Sequence, residues 1–197
     1  MNDKIKTLFS EHGGQLRMRD ALNAGMSRYM LYNLYEKGFV ERIARGVYRL
    51  ADLPPISEPD FMAISTRCPK AVLCLISALS LHEITTEIPR QIFIALPRDT
   101  RAPTMKYPPL SIHKFSEPAY SEGIEVRDMD GVGVKVYCVE KTLADCFKYR
   151  NKIGMDVVLE ALKFYRERYR FDGNKIMHYA KVCRVDNIMR PYLEATL

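Results

Sequence analysis

The segment from Ser27 to Asn33 carries side chains that can form hydrogen bonds with the edges of DNA bases. The guanidinium of Arg28 matches the two acceptors of guanine, and the amide of Asn33 matches the donor and acceptor of adenine. The Ser27 hydroxyl, at the amino end of a helix, suits a phosphate group. With Tyr29 and Tyr32, these residues form a set that we expect to contact DNA.

The set shares one face only if the residues after Ser27 form a helix. Ser27 is a suitable N-cap, and Gly38 follows Lys37 where such a helix would stop. At about 100° per residue, one arc of roughly 140° holds the polar and aromatic side chains Arg28, Tyr29, Tyr32, Asn33 and Glu36. Met30, Leu31 and Leu34 fall on the opposite side. The pattern predicts that these three apolar residues face the core.

Basic residues on both sides of this helix suit the phosphate backbone of DNA. The run from Val40 to Leu50 alternates and predicts a β-hairpin that turns near Arg45-Gly46. Seven basic and three acidic residues lie between Arg17 and Arg49. We expect phosphate contacts from Arg17, Arg19, Arg42 and Arg45. Glu36 and Glu41 oppose tight binding wherever they face a phosphate.

Two further helices are predicted before Ser27. Ile5, Leu8 and Phe9 share one face of the first, which residues 12–14 end. The second runs over residues 16–24, directs Met18, Ala21 and Leu22 inward, and closes at Gly25. Three helices followed by a hairpin are typical of a winged helix-turn-helix. The alternative is a three-helix bundle with a solvated basic face.

The predicted fold class is α+β, in three parts: a winged helix-turn-helix over residues 1–50, a proline-rich linker over 51–60, and a mixed domain over 61–197. Strands are predicted at 91–96, 110–115, 123–129 and 134–139. Helices are predicted at 58–67, 77–82, 140–149, 154–169, 173–182 and 186–195.

Composition and charge restrict the function only loosely. The chain has 197 residues, a net charge of +6 and five cysteines, and its pI is near 9.0. A basic chain favours nucleic acid as a partner without proving it. No run approaches the ~18 apolar residues of a membrane span. We expect a cytoplasmic protein with reduced, mostly buried thiols and no membrane partner.

The sequence contains no recognisable catalytic motif. No Asp or Glu has Lys two positions later, as a metal-dependent nuclease site would need. His82-Glu83 lacks the second histidine of a zinc protease motif, so His82 is interpreted as a polar anchor on its helix. Asp128 and Asp130 are interpreted as turn formers. The prediction is no enzyme, no catalytic residue, no metal and no cofactor.

Charged residues in the second half have structural interpretations as well. Glu140 is predicted at a helix start, where a negative charge is favourable. Asp145 is expected to form an ordinary surface pair with Lys141 or Lys148. Two basic segments with interleaved tyrosines contain Lys148, Arg150, Lys152, Arg166, Arg168 and Arg170. They are either solvated helix faces or a surface for a partner, such as a toxin or nucleic acid.

Three segments together resemble one family. They are the run from Gly14 to Leu50 with its GMSR, VERIARGVYRL core, CLISALSLHEITTEIP (74–89), and VYCVEKTLADCFKYRNKIGMDVVLEALKFY (136–165). This pattern resembles the AbiEi antitoxins of type IV toxin–antitoxin systems over roughly residues 5–170.

The resemblance implies a winged helix that binds repeats in the promoter of its own operon and represses it. It also implies a C-terminal domain that opposes a nucleotidyltransferase-like toxin, functionally and without a stable complex. It carries over no catalytic residue. The alternative function is a ligand-responsive winged-helix regulator without a toxin, and a DNA-processing enzyme is the third hypothesis.

Overall fold

The computed structural model describes residues 3–44, 46–53, 58–105 and 107–195. The chain forms two compact units. The first comprises Met1–Arg67 with Asp128–Val134, and the second comprises Cys68–Arg127 with Lys135–Leu197. The first unit therefore continues past the predicted linker, of which residues 54–57 lie outside the described residues. The domain boundaries at 50 and 61 stay a prediction.

The first unit has the element order of a winged helix-turn-helix. Its elements are α1 (Asp3–Glu11), β1 (Gln15–Arg17), α2 (Met18–Asn23), α3 (Arg28–Glu36), β2 (Val40–Ala44), β3 (Val47–Leu50) and α4 (Pro59–Arg67). Strand β3 lies between β1 and β2 and pairs with both in antiparallel fashion. The prediction of an α+β protein with an N-terminal winged helix is confirmed.

The structure corrects the start of the second helix. Helix α2 begins at Met18, not at residue 16, because Gln15–Arg17 forms strand β1. Leu16 pairs with Tyr48 across the sheet and is buried. A strand of three residues is too short to show the alternation that identifies strands in a sequence.

Two predicted core positions of the first unit are wrong. Met30 is 41% exposed and Leu22 is 37% exposed. Helix α3 buries Leu31 and Leu34, which lie about 60° apart around its axis, and Met30 falls beside that narrow stripe. Helix α2 has six residues and buries Ala21. Phe9 and Tyr48 are the large aromatic side chains of this core.

The second unit contains most of a five-stranded sheet with the order β6-β5-β4-β8-β7. Its strands are β4 (Val72–Leu73), β5 (Ile92–Pro97), β6 (Leu110–Phe115), β7 (Ile124–Met129) and β8 (Val132–Tyr137). Strand β4 pairs antiparallel with β5 and parallel with β8, and β5 pairs parallel with β6. The turn between β7 and β8 belongs to the first unit.

Six helices complete the second unit among the described residues: α5 (Leu75–Leu81), α6 (Val139–Lys148), α7 (Arg150–Ile153), α8 (Met155–Arg168), α9 (Gly173–Cys183) and α10 (Asp186–Glu194). Helix α6 lies against α5, α8, α9 and α10. Leu143, Ala144 and Phe147 of α6 are completely buried. This helix therefore lies at the centre of the core. Its sequence mixes polar and apolar residues and does not indicate that position.

The predicted surface pair on α6 is wrong. The side chains of Lys141 and Asp145 are 0% and 1% exposed, and Lys141 Nζ lies 2.6 Å from Asp145 Oδ2. The reason is that neighbouring helices pack around α6 and that Lys141 Nζ lies against the rings of Phe115 and Tyr137 in strands β6 and β8. Glu140 lies in the first turn as predicted, and its carboxylate accepts hydrogen bonds from Tyr165 and Lys175.

His82 anchors its helix to the sheet, as predicted. Its Nε2 donates to the Tyr137 carbonyl at 2.7 Å, and Arg127 donates to its Nδ1 at 2.7 Å. Arg127 can only donate, so Nδ1 is the acceptor and the ring is neutral. Burial, and then the Arg127 charge, lower the pKa of His82 to about 4.

The turn and cysteine predictions also hold. Asp128 accepts a hydrogen bond from the Gly131 N–H at 3.0 Å and so forms the turn between β7 and β8. All five cysteines are free thiols; Cys68 is half-buried and the other four are buried. Burial raises the pKa of the Cys183 thiol to about 12.

Candidate nucleic-acid interface

Helix α3 begins at the residue that its sequence indicates. The Ser27 hydroxyl accepts a hydrogen bond from the Met30 N–H at 3.1 Å, which caps the helix. After Lys37, Gly38 takes a φ of +72°, a left-handed conformation that glycine adopts without strain. The capped N-terminus leaves the first turn of α3 well defined, as a helix that reads bases requires.

The outer face of α3 consists of the residues predicted to share it: Arg28, Tyr29, Tyr32, Asn33 and Glu36. All are exposed except Asn33, which is half-buried. Tyr29 is 78% exposed and Tyr32 is 48% exposed. Two exposed aromatic side chains lie together with Arg28 on this face, and such a grouping suits an interface.

Tyr48 joins α3 to the sheet beneath it. This strand residue is 1% exposed. Its ring meets that of Tyr35 edge to face, with centroids 6.4 Å apart. Burial, and then the neighbouring Tyr32 with which it shares a hydrogen bond, raise the pKa of Tyr48. The alternating pattern of residues 40–50 predicts a strand at Tyr48 but not this contact with α3.

The wing consists of β2, β3 and the turn between them. Arg42 pairs in register with Tyr48, and a register shift follows between Arg42 and Ala44. Such an irregularity twists a hairpin locally and redirects its tip. Arg45, at the predicted tip, lies outside the described residues. Its assignment as a phosphate contact stays a prediction, as does that of Arg42.

Arg17 and Arg19 flank the start of α2, next to the wing. Arg17 pairs with Val47, the first residue after the turn of the wing, and the Met18 N–H donates to the Gly46 carbonyl in that turn at 2.7 Å. Arg19 is exposed and lies 3.3 Å from the Asp20 carboxylate. The predicted phosphate contacts Arg17 and Arg42 therefore belong to one three-stranded sheet.

One of the two unfavourable acidic residues is neutralised within the protein. Glu41 Oε1 lies 3.0 Å from Arg49 Nη1, and the Arg49 side chain is 3% exposed. A carboxylate paired with a buried guanidinium presents less negative charge to a phosphate. Glu36 remains on the outer face of α3. The burial of Arg49, one of the seven basic residues of this region, does not follow from the sequence pattern.

Residues 3–51 match the family model described as a transcriptional regulator, AbiEi antitoxin. The match covers α1 to β3, the capped helix and the wing. This N-terminal segment is similar to an AbiEi-type regulator domain. The resemblance is confirmed over these residues, which are the part of the chain that the family model covers.

A solved structure has a similar fold along most of the chain. It is the crystal structure of the RV2827C protein from Mycobacterium tuberculosis, with a TM-score of 0.57 and 15% sequence identity. The similarity covers 90% of this chain and 69% of that one. At this identity the likeness concerns the fold alone. No curated protein sequence matches significantly.

The residues predicted as an antitoxin surface lie at the ends of two helices in the second unit. Lys148 and Lys152 are exposed near the end of α6 and in α7, and Arg150 donates to the Phe147 carbonyl at 2.9 Å. Arg166, Arg168 and Arg170 are exposed near the end of α8.

Two of these arginines have contacts that stabilise the unit itself. The Arg168 guanidinium donates to the Glu83 carbonyl and lies 4.7 Å from the centroid of the Phe164 ring. Arg150 closes the turn after α6. The role of all six as a partner surface stays a prediction, and Arg150 and Arg168 are its weakest members.

Within the described parts of the chain, no group of three or more His, Cys, Asp or Glu side chains is arranged to hold a metal ion. Nor does any helix there have the length and apolar character needed to cross a bilayer.

Proposed function

We propose that the chain is the antitoxin of a type IV toxin–antitoxin system and a repressor of its own operon. The AbiEi-type domain binds repeats in the promoter, and the second unit opposes a nucleotidyltransferase-like toxin. The observation that carries the proposal is the capped helix α3, which presents Arg28, Tyr29, Tyr32 and Asn33 beside a basic wing within the segment that matches the family.

The two sets of residues have different proposed tasks. Arg28, Tyr29, Tyr32 and Asn33 enter the major groove with the first turns of α3, because this is the exposed helix of the motif. Ser27 and the helix N-terminus lie next to a phosphate. Arg17, Arg19, Arg42 and Arg45 hold the backbone on both sides. The target is double-stranded DNA, and the chain acts in the cytoplasm where that DNA lies.

Repression is tested with the full chain and a reporter under its own promoter. The parent chain represses, and Arg28→Ala relieves repression. Arg101→Ala, a change of the same type at an exposed position of the second unit, serves as the matched control and leaves repression intact. If Arg28→Ala represses as strongly as the parent, α3 is not the operator-binding helix.

Antitoxicity is tested by growth rescue with the adjacent nucleotidyltransferase-like gene. The full chain restores growth, and Arg28→Ala restores it equally because repression and antitoxicity reside in different units. Loss of rescue by Lys148→Ala with Lys152→Ala would support the basic surface at α6 and α7. Failure of the parent chain to rescue would leave the alternative function, a ligand-responsive regulator without a toxin.

A further inference from the structure

Beside its polar outer face, helix α3 carries a shallow apolar depression of about 340 Å³. Tyr29, Met30 and Phe39 line it, and they are 78%, 41% and 43% exposed. Leu34, 7% exposed, forms its floor. The depression exists because Met30 does not enter the core. If α3 faces DNA as proposed, its apolar surface is buried most favourably against an apolar group of the DNA.

Polar residues that line the depression indicate which chemical group of the DNA fills it. Asn33 and Lys37 both line the depression, and Asn33 also belongs to the outer face of α3. An asparagine amide can pair with both polar atoms of the adenine edge in the major groove. The apolar group that the major groove offers is the 5-methyl group of thymine. A lysine beside it suits the phosphate backbone.

We propose that Met30 and Tyr29 contact a thymine methyl group next to the adenine that Asn33 reads. This inference rests on the proposed DNA-binding function and specifies its target as a duplex with an adenine–thymine step in each half-site. Arg28 then reads a position nearer the N-terminus of α3. Burial of one methyl group predicts a preference for thymine over uracil of about fourfold.

The experiment uses the full chain and a pool of random duplexes. Bound sequences are selected and sequenced, and each thymine of the selected duplex is then replaced, one at a time, by deoxyuridine. This removes the methyl group and keeps the base pair. We expect one position per half-site at which the dissociation constant rises about fourfold. Met30→Ala abolishes this difference.

Leu22→Ala is the matched control, since Leu22 is also an exposed apolar residue of the first unit but lies on α2. This variant retains the thymine preference. The inference is overturned if no replacement changes affinity, or if Met30→Ala keeps the preference. It is also overturned if Met30→Ala alone changes the oligomeric state, because a second copy then covers the depression. Failure to select any duplex would instead refute the proposed function.

Discussion

Lys141 and Asp145 form an ion pair in the interior of the second unit, one helical turn apart on α6. Lys141 Nζ lies 2.7 Å and 2.6 Å from the two carboxylate oxygens, and Cys183 Sγ donates to Oδ1 at 3.2 Å. Burial by itself would lower the pKa of Lys141, but the Asp145 carboxylate and Cys183 outweigh it and raise the pKa. At the other partner, burial outweighs the Lys141 charge and raises the pKa of the Asp145 carboxyl.

Removal of one partner of this pair should destabilise the second unit strongly. Lys141→Ala or Asp145→Ala leaves a buried charge without its partner, and we expect a loss of about 3–5 kcal/mol in the free energy of unfolding. Lys141→Met combined with Asp145→Leu should cost far less, because it removes both charges. Denaturant unfolding measures each variant.

The control for this prediction is the exposed pair Lys163–Glu167, which has the same spacing on α8. Lys163→Ala should not change stability measurably, because water screens exposed charges. If Asp145→Ala is as harmless as this control, the pair is not a constituent of the folded core.

The Ser27 cap should contribute to the stability of α3. Ser27→Ala removes the acceptor for the Met30 N–H and should lower the free energy of unfolding by about 1 kcal/mol, whereas Ser27→Asp should retain most of it. Ser10→Ala is a suitable control, since the Ser10 hydroxyl bonds within the exposed helix α1. Equal stability of Ser27→Ala and Ser27→Asp would mean that the hydroxyl does not act as a cap.

Base contacts and phosphate contacts should respond differently to mutation. Arg28→Ala should cost about 1–3 kcal/mol in binding to the selected sequence and relax preference at one position. Arg42→Ala should weaken selected and random duplexes alike and lower the slope of log affinity against log salt by about one. Titrations at several salt concentrations measure both. An unchanged salt slope for Arg42→Ala would remove the wing from the interface.

His82 should make the second unit sensitive to acid. Its pKa is about 4 in the folded chain and 6.5 as its ordinary value, so the unfolded chain binds the proton first as pH falls. Stability due to the neutral ring is complete above pH 6.5 and declines through pH 4, by about 3 kcal/mol in total. His82→Gln should show a smaller decline over this interval, measured by denaturant unfolding at each pH. Parallel declines would exclude His82 as the cause.

Patterns among residues close in sequence predicted most elements of the first unit. The capped helix after Ser27, the hairpin before Leu50 and the outer face of α3 each depend on residues close in sequence. The sequence did not reveal β1, because three residues show no alternation and their partner strand lies over thirty positions away. The prediction for Met30 was wrong because helical spacing shows which side of a helix is apolar. It does not show how wide a strip of that side the core covers.

In the second unit, the sequence did not predict those features that depend on packing between residues distant in the chain. Strand β4 has two residues and lies at the centre of the sheet, where its neighbours rather than its own pattern define it. Lys141 and Asp145 looked like an exposed pair because a four-residue spacing of opposite charges is typical of helix surfaces. The helices packed around α6 and the aromatic rings of Phe115 and Tyr137 make that pair internal.

Tyr48 has a consequence for the geometry of the DNA target. The Tyr48 side chain contacts Tyr32 and Tyr35 on α3, and its backbone pairs with Arg42 in strand β2 of the wing. These contacts hold the helix and the wing at a fixed distance from each other. In the proposed complex, one base pair inserted between the steps that α3 and the wing contact would rotate the two contact points by about 34° around the duplex axis. The domain could follow that rotation only by releasing one of the two contacts, so the proposed binding depends on spacing as well as on sequence.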